Sequence, residues 1–309
     1  MILDKLQARR WVRTAAGVAL ATALASCTTS GQSGGGSPAS GSARLRVACT
    51  ISTLCSLVSV VGRDDIDVHG IVPVGGSPET FEPRPLDIVA LSGSRVLFEN
   101  GLGLEAWLQR LLDAASAPGI TTVVLADSVP AAAKSSGNPH LWMDPAYAAD
   151  YVRSIAAALA AADPAHARDY AKNAAVETAR LGVLDRWIGA QIATIPPGRR
   201  AMICFHDAWF YFDRRYGIKD VGAIEPIPGE DPSAGEFARL IALAKANHVR
   251  AVFGEPQYSR KLADALASGA GIALVTDLYD DTLGTGHEAP DYEAMMRYDV
   301  RTIVAALRR

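Results

Sequence analysis

Several features that mark common protein classes are missing from this sequence. Its 309 residues carry 30 Lys and Arg against 33 Asp and Glu, a net charge of −3, so nucleic acid is not an expected partner. Gly75-Gly76 is not followed by the Lys-Ser/Thr pair of a phosphate-binding loop, and Gly101 and Gly103 lack the third glycine of a dinucleotide-binding loop. No closely spaced His-x-x-x-His pair is present. What remains is an ordinary globular composition, with 49% hydrophobic and 20% charged residues and enough length for two domains.

The N-terminal residues lack a hydrophobic run long enough to span a membrane. Ala15 to Leu24 is a short apolar segment that follows a basic stretch, as in a secretion signal. It ends in Leu24-Ala-Ser-Cys27, the pattern of a bacterial lipobox, so we predict a signal peptide over residues 1–26 and lipidation of Cys27. The alternative is an ordinary secretion signal with an incidental cysteine. Residues 27–43 are rich in Ser and Gly and are predicted to be a flexible tether.

Cysteine is scarce, with three residues beyond Cys27: Cys49, Cys55 and Cys204. An odd number excludes complete pairing in an oxidising compartment. Cys49 and Cys55 can pair if the fold brings them together, and the alternative is that all three are buried thiols.

A long helix is predicted from Asp163 to Thr194. Asp163 suits the N-cap and Pro164 the first helical position, while Pro196 and Pro197 end the helix. Apolar residues recur at helical spacing along it: Tyr170, Ala174, Leu181, Leu184, Ile188 and Ile192. The alternative is a surface helix of a single domain. We interpret it as a rigid connection, because similar patterns lie on both sides of it.

Short apolar strands alternate with helical segments both before and after this helix. Such alternation predicts an α/β protein in which two mainly parallel sheets are covered by helices. We therefore expect an N-terminal lobe over residues 44–162, the linking helix over 163–194 and a C-terminal lobe over 195–309. Ligands of such sheets bind at the carboxyl ends of the strands.

Four residues with metal-binding side chains follow predicted strands or lie in loops between a strand and a helix: Glu79, His140, His206 and Asp277. Two come from each lobe, so they could meet in the cleft. Two imidazoles and two carboxylates suit Zn²⁺, Mn²⁺ or Fe²⁺. Spacing alone leaves the alternative open that each is a polar loop residue, a helix entry or a turn cap.

The sequence resembles the ZnuA/TroA-like solute-binding lipoproteins of zinc and manganese ABC importers. The resemblance covers residues 45–309 and rests on several runs: Asn100 to Trp107, Pro139 to Pro145, Phe205 to Phe212, Asp231 to Ser233, Glu255 to Gln257 and Met295 to Tyr298. It implies two α/β lobes joined by one long rigid helix. It also implies that His140, His206 and Asp277 are metal ligands.

The first ligand departs from the family pattern, which usually has His where this chain has Glu79. A carboxylate still binds metal, so Glu79 remains in the predicted set. His206 resembles the zinc-type members, so Zn²⁺ is favoured, with Mn²⁺ and Fe²⁺ as alternatives because carboxylates suit harder ions. The residues 128–137 contain no His, so the His-rich loop of some zinc-type members is absent. Glu255 is predicted to support a ligand by accepting an imidazole N–H.

The resemblance implies a binding protein without enzymatic activity. It would be a monomer, lipid-anchored in a bacterial envelope and facing the periplasm or the exterior, that captures a divalent metal and delivers it to an ABC permease. The alternative is an exported zinc metalloenzyme in which Glu79 is the general base beside a three-ligand site. A surface interaction protein whose metal only stabilises the fold is a third reading.

Overall fold

Eight strands form two four-stranded sheets in a computed structural model that describes residues 44–115 and 119–309. The first sheet contains β1 (Leu45–Cys49), β2 (Ile66–Gly70), β3 (Val96–Glu99) and β4 (Thr121–Val124). The second contains β5 (Ala201–Cys204), β6 (Lys219–Ala223), β7 (Ala251–Phe253) and β8 (Ala273–Val275). The strand orders are β2-β1-β3-β4 and β6-β5-β7-β8, and all neighbours are parallel. The predicted fold class, two lobes each built on a parallel sheet, is confirmed.

Nine α-helices lie among the described residues. In the first half of the chain they are α1 (Ser52–Gly62), α2 (Pro85–Ser92), α3 (Leu108–Ala115) and α4 (Pro145–Ala162). The long α5 (Ala167–Ala193) follows, and then come α6 (Phe210–Tyr216), α7 (Ala234–Ala246), α8 (Arg260–Ala270) and α9 (Tyr292–Arg308). None of the helices in this part of the chain combines the length and apolar character that a membrane span requires.

The linking helix has the predicted apolar face but a different start. All six residues of the predicted stripe are buried. The start differs because Pro164–His166 forms a 3₁₀ turn, and the Asp163 side chain caps no backbone N–H. Its carboxylate accepts hydrogen bonds from the Tyr170 hydroxyl at 2.8 Å and pairs with His166 Nδ1 at 2.6 Å. The 27 residues of α5 correspond to about 40 Å.

The hydrophobic core runs continuously from one lobe into the other. The larger cluster includes Val47 of β1, Leu184 of α5, Ile303 of α9 and Met202 of β5. A smaller cluster, with Ile203 among its members, covers the opposite face of the second sheet beneath α7 and α8. Met202 and Ile203 point to different clusters because successive strand residues face opposite sides of a sheet. The described residues from 44 onwards accordingly form one compact unit.

Two cysteines near the amino end are joined, and one is free. Cys49 at the end of β1 forms a disulfide with Cys55 in the first turns of α1, with their Cα atoms 5.4 Å apart. Cys204 is buried and forms no disulfide among the described residues. The signal peptide, the tether and Cys27 fall outside the described residues, and those boundaries remain predictions.

Candidate metal centre

Three of the predicted ligands come together where the sheets present the carboxyl ends of their strands. Glu79 lies in the loop that follows β2, and His140 lies just before α4. His206 follows β5 in a turn, and α6 begins four residues later, at Phe210. The fourth member of the group is Asp281, in the loop after β8.

The ligand atoms of these four residues surround one point. His140 Nε2 lies 3.2 Å from His206 Nε2, 3.4 Å from Glu79 Oε1 and 3.3 Å from Asp281 Oδ1. His206 Nε2 lies 3.8 Å from Glu79 Oε1 and 3.4 Å from Asp281 Oδ2. Donors bonded to one tetrahedral ion at ~2.0–2.2 Å would be separated by about 3.3–3.6 Å. The observed separations fit a shared cation.

Asp277, which the sequence predicts as a ligand, does not belong to this group, and Asp281 takes its place among the four. Its side chain is exposed and accepts a hydrogen bond from the Thr276 hydroxyl at 2.8 Å. Its backbone is left-handed, with φ of 75°, and turns the chain away from the end of β8. The next residue, Leu278, donates its N–H to Gly254 O at 3.1 Å, and three residues further on the Asp281 carboxylate reaches the two imidazoles.

Asp281 is a buried carboxylate without a partner that donates to it from the described protein. Its side chain is fully buried and neither oxygen accepts a hydrogen bond. A buried charge of this kind is costly unless it is paired or binds a metal. Burial raises the pKa of Asp281, the neighbouring Glu79 adds to the effect, and the value is about 7. The geometry and the missing partner both suit a metal ligand.

His140 is oriented by the segment that precedes it. The Asn138 side-chain oxygen lies 3.0 Å from both the backbone N and the ring Nδ1 of His140. An Nδ1–H that donates to this oxygen leaves Nε2 with a free lone pair towards the cluster. Burial lowers the pKa of His140, but the adjacent carboxylates of Asp281 and Glu79, at 3.3 and 3.4 Å, outweigh this effect and raise the value to about 9.

His206 is held from behind by Glu255, as the sequence predicts. Glu255 Oε2 lies 2.6 Å from His206 Nδ1, and its other oxygen accepts from the His206 backbone N–H at 3.3 Å. This contact fixes the ring so that Nε2 faces the cluster. Gln257 and Asp280 extend the arrangement, since the Gln257 amide donates to Glu255 at 3.1 Å and to Asp280 at 2.9 Å.

Glu79 keeps its charge although it is largely buried. Burial raises its pKa, but the hydrogen bond with His140 and the charge of His206 lower it to about 2. The Ser77 hydroxyl donates to Glu79 Oε2 at 3.1 Å, which leaves Oε1 on the side of the two imidazoles. The Glu79 carboxylate therefore contributes one oxygen, Oε1, to the group of atoms that face the proposed metal position.

Aromatic side chains close the back of the cluster. Trp142 is fully buried, and its indole N–H donates to the backbone oxygen of Asp280 at 2.8 Å. Tyr258 stacks on Phe205 with ring centroids 4.6 Å apart and approaches the His206 ring edge-on at 5.5 Å. These rings exclude water from one side of the site, which strengthens its electrostatic interactions.

The chain matches known metal-transport proteins over most of its length. A family model described as "ZnuA: Zinc-uptake complex component A periplasmic" matches residues 47–306. The manganese-binding lipoprotein MntA of Halalkalibacterium halodurans is 30% identical over 265 residues, which cover 85% of this chain and 88% of that protein. The iron ABC transporter substrate-binding lipoprotein MtsA of Streptococcus pyogenes is 26% identical, over 86% of this chain and 90% of that protein.

Solved structures show the same fold. The periplasmic zinc-binding protein TroA from Treponema pallidum superimposes with a TM-score of 0.80 at 22% identity, covering 86% of this chain and all of the other. A manganese-bound periplasmic metal-binding protein from Candidatus Liberibacter asiaticus gives 0.77 at 22% identity and covers 85% of this chain and all of the other.

Proposed function

Because the chain belongs to the family of the periplasmic zinc-uptake component ZnuA, we propose that it captures a divalent transition-metal ion and delivers it to an ABC permease. The proposed ligands are Glu79, His140, His206 and Asp281. One observation carries the proposal: donor atoms from both lobes converge within 4.8 Å of one another. Four protein side chains would surround the ion without a position reserved for a reactive water, as expected for a carrier.

We propose an extracytoplasmic location, with the protein anchored through a lipid on Cys27 and held by residues 27–43. The relatives named above are lipoproteins, and the sequence carries a lipobox. The disulfide between Cys49 and Cys55 adds independent support, because such bonds persist in oxidising compartments outside the cytoplasm.

Within the divalent metals, we propose Mn²⁺ as the physiological cargo, in place of the Zn²⁺ that His206 favours in the sequence. Both oxygens of Asp281 face the two imidazoles, at 3.3 and 3.4 Å, so this carboxylate can supply two donors. With Glu79 the site then offers three oxygens and two nitrogens. Oxygen-rich sets suit Mn²⁺, whereas structural Zn²⁺ usually takes four donors.

The first test is the metal content of the purified protein and its affinity for Mn²⁺, Zn²⁺ and Fe²⁺ by competition. We expect one ion per chain. Zn²⁺ should bind more tightly than Mn²⁺ in vitro whatever the physiological cargo, since that is the general affinity order. A protein that takes up none of these ions at micromolar concentration would overturn the proposed function.

The choice of cargo needs a measurement in cells. Bacteria that lack the protein should contain less manganese than the parent strain, with unchanged zinc, when manganese is limiting. The reverse pattern would make zinc the cargo. A complementing copy with Glu79→His serves as the matched variant, because exchange of a carboxylate for an imidazole should shift the binding preference towards zinc.

The metalloenzyme alternative makes a different prediction for Glu79. As a ligand, Glu79 contributes directly to affinity, so Glu79→Ala should weaken Mn²⁺ binding by more than about tenfold, the lower end of what even outer contacts contribute. As a general base it would leave the metal in place when removed. Metal retained at wild-type affinity by Glu79→Ala would therefore argue against its role as a ligand.

A further inference from the structure

The residue that follows Asp281 makes a hydrogen-bonded junction between the lobes. Thr282 is buried, and its hydroxyl accepts a hydrogen bond from the Gly75 backbone N–H at 2.6 Å. The same hydroxyl lies 3.3 Å from the Ser52 hydroxyl. The Leu283 backbone N–H also donates to Ser52, at 2.9 Å. Three contacts thus tie the Asp281 loop to the first lobe.

The two residues that Thr282 contacts, Gly75 and Ser52, belong to segments that connect to the metal centre. Gly75 belongs to the loop that carries Glu79 four residues later, and its φ of 86° belongs to a turn that favours glycine. Ser52 is the first residue of α1, within the short segment that the disulfide between Cys49 and Cys55 closes. Thr282 therefore connects one proposed ligand, Asp281, to the loop of another, Glu79.

Asp281 needs such support because its own carboxylate has none. Neither of its oxygens is held by a donor hydrogen bond in the described protein. The position of the carboxylate therefore depends on the backbone on either side of it. On the preceding side, the Asp281 N–H donates to the Asp280 side chain at 2.6 Å. On the following side, the contacts of Thr282 and Leu283 hold the backbone in place.

Resting on the proposed function, we infer that Thr282 is a positioning residue that sets the separation of the Glu79 and Asp281 donors across the cleft. Its hydroxyl holds the two ligand-bearing loops in register before the ion arrives. Outer contacts of this kind commonly change metal affinity by about 10–100-fold. Loss of the hydroxyl makes the separation of Glu79 and Asp281 more variable and speeds metal release, although all four ligands are still present.

The test compares Thr282→Val with a neighbouring control, Thr53→Val. Thr53 is also fully buried in the same region, but its hydroxyl has no hydrogen-bond partner in the described protein. Valine has nearly the shape of threonine, so only the hydroxyl is lost in each case. Thr282→Ser retains the hydroxyl and should restore wild-type behaviour.

Two measurements separate positioning from general stability. The Mn²⁺ affinity and dissociation rate report on function, and the visible spectrum of bound Co²⁺ reports on coordination geometry. We expect Thr282→Val to weaken Mn²⁺ binding by about tenfold and to alter the Co²⁺ spectrum. Thr53→Val and Thr282→Ser should match the wild type in both.

Ser52→Ala gives a second route if Thr282→Val folds poorly. It removes two of the three contacts and leaves the one between Gly75 and Thr282, so a smaller change in the same direction is expected. Wild-type affinity and spectrum in both Thr282→Val and Ser52→Ala would overturn the inference while leaving the proposed function intact. Failure of the wild type to bind any of the metals would instead remove the proposed function.

Discussion

At the scale of single residues, Asp277 and Asp281 provide a matched pair. Asp281 is buried beside the two imidazoles, whereas Asp277 is exposed. We expect Asp281→Ala to weaken metal binding by more than about a hundredfold, because a lost donor should cost more than a lost outer contact. Asp277→Ala should leave the affinity within about twofold. Competitive titration with a fluorescent chelator measures both.

The opposite ranking of these two variants would restore Asp277 as the ligand. Equal losses of metal affinity in both variants would indicate that the whole loop after β8, and not Asp281 alone, determines binding. An unchanged melting temperature for each metal-free variant is the control that the chain still folds.

Asp277 differs from the other three predicted ligands because of the loop that follows β8. The rule that ligands follow strands selects Glu79, His140 and His206 correctly as members of the cluster. It fails after β8 because the chain makes a left-handed turn at Asp277 and then runs through Leu278 and Tyr279 before it reaches the cleft. A φ of 75° at a residue other than glycine leaves no mark in the sequence. The adjacent acids Asp280 and Asp281, in the run Leu278-Tyr-Asp-Asp-Thr-Leu283, were the available signal.

The pKa values of the site predict that metal binding depends on pH. At neutral pH and without metal, His140, with a pKa of about 9, holds a proton, and Asp281, at about 7, does so in part. Glu79, at about 2, is already ionised. A metal must displace the bound protons, so its affinity should rise as the pH increases from 6 to 8.

Calorimetry in two buffers of different ionisation enthalpy tests this directly. The heats should differ, because protons that the metal displaces at pH 7 are taken up by the buffer. An affinity that stays constant from pH 6 to 8, with equal heats in the two buffers, would show that the imidazoles are neutral before the metal binds.

At the scale of secondary-structure elements, α5 has one buried face and one exposed face. Leu184 is fully buried and Val183, its neighbour, is 51% exposed. Leu184→Ala should lower the free energy of unfolding by about 2–5 kcal/mol, because it removes buried methylenes and leaves a cavity. Val183→Ala should change it by less than about 0.5 kcal/mol. Chemical denaturation of the metal-free protein measures both.

The periodicity of α5 was sufficient to predict its buried face, because burial of a helix in water follows its apolar stripe. Its start was harder to predict. Asp163 has the side chain of an N-cap, but the hydroxyl of Tyr170 and the ring of His166 compete for its carboxylate. Helix α3 likewise begins only at Leu108. The residues 101–103 have positive φ, which excludes a right-handed helix there.

At the scale of the whole molecule, the two lobes repeat one strand order and share the larger hydrophobic cluster. The sequence predicts both lobes because strands and helices alternate on each side of α5. It does not reveal that α9, at the end of the chain, packs against both α5 and α1. Contacts between segments so distant in sequence depend on the folded chain, and the periodicity of α9 alone does not identify its partners.

This shared core predicts that the lobes move little when the metal binds. Separation of the lobes would expose residues that now pack along α5, such as Leu184 and Ile188, both fully buried, at a cost of about 25 cal/mol for each Å² of apolar surface. The ion should therefore act on the loops that carry Glu79 and Asp281.

Small-angle X-ray scattering should give radii of gyration that agree within about 1 Å with and without Mn²⁺, against a total of roughly 19 Å for a chain of this size. A large compaction on adding metal would mean that α5 bends and that the core opens between the lobes. Asp281→Ala, which should not bind the ion, is the control that separates a metal effect from a change of ionic conditions.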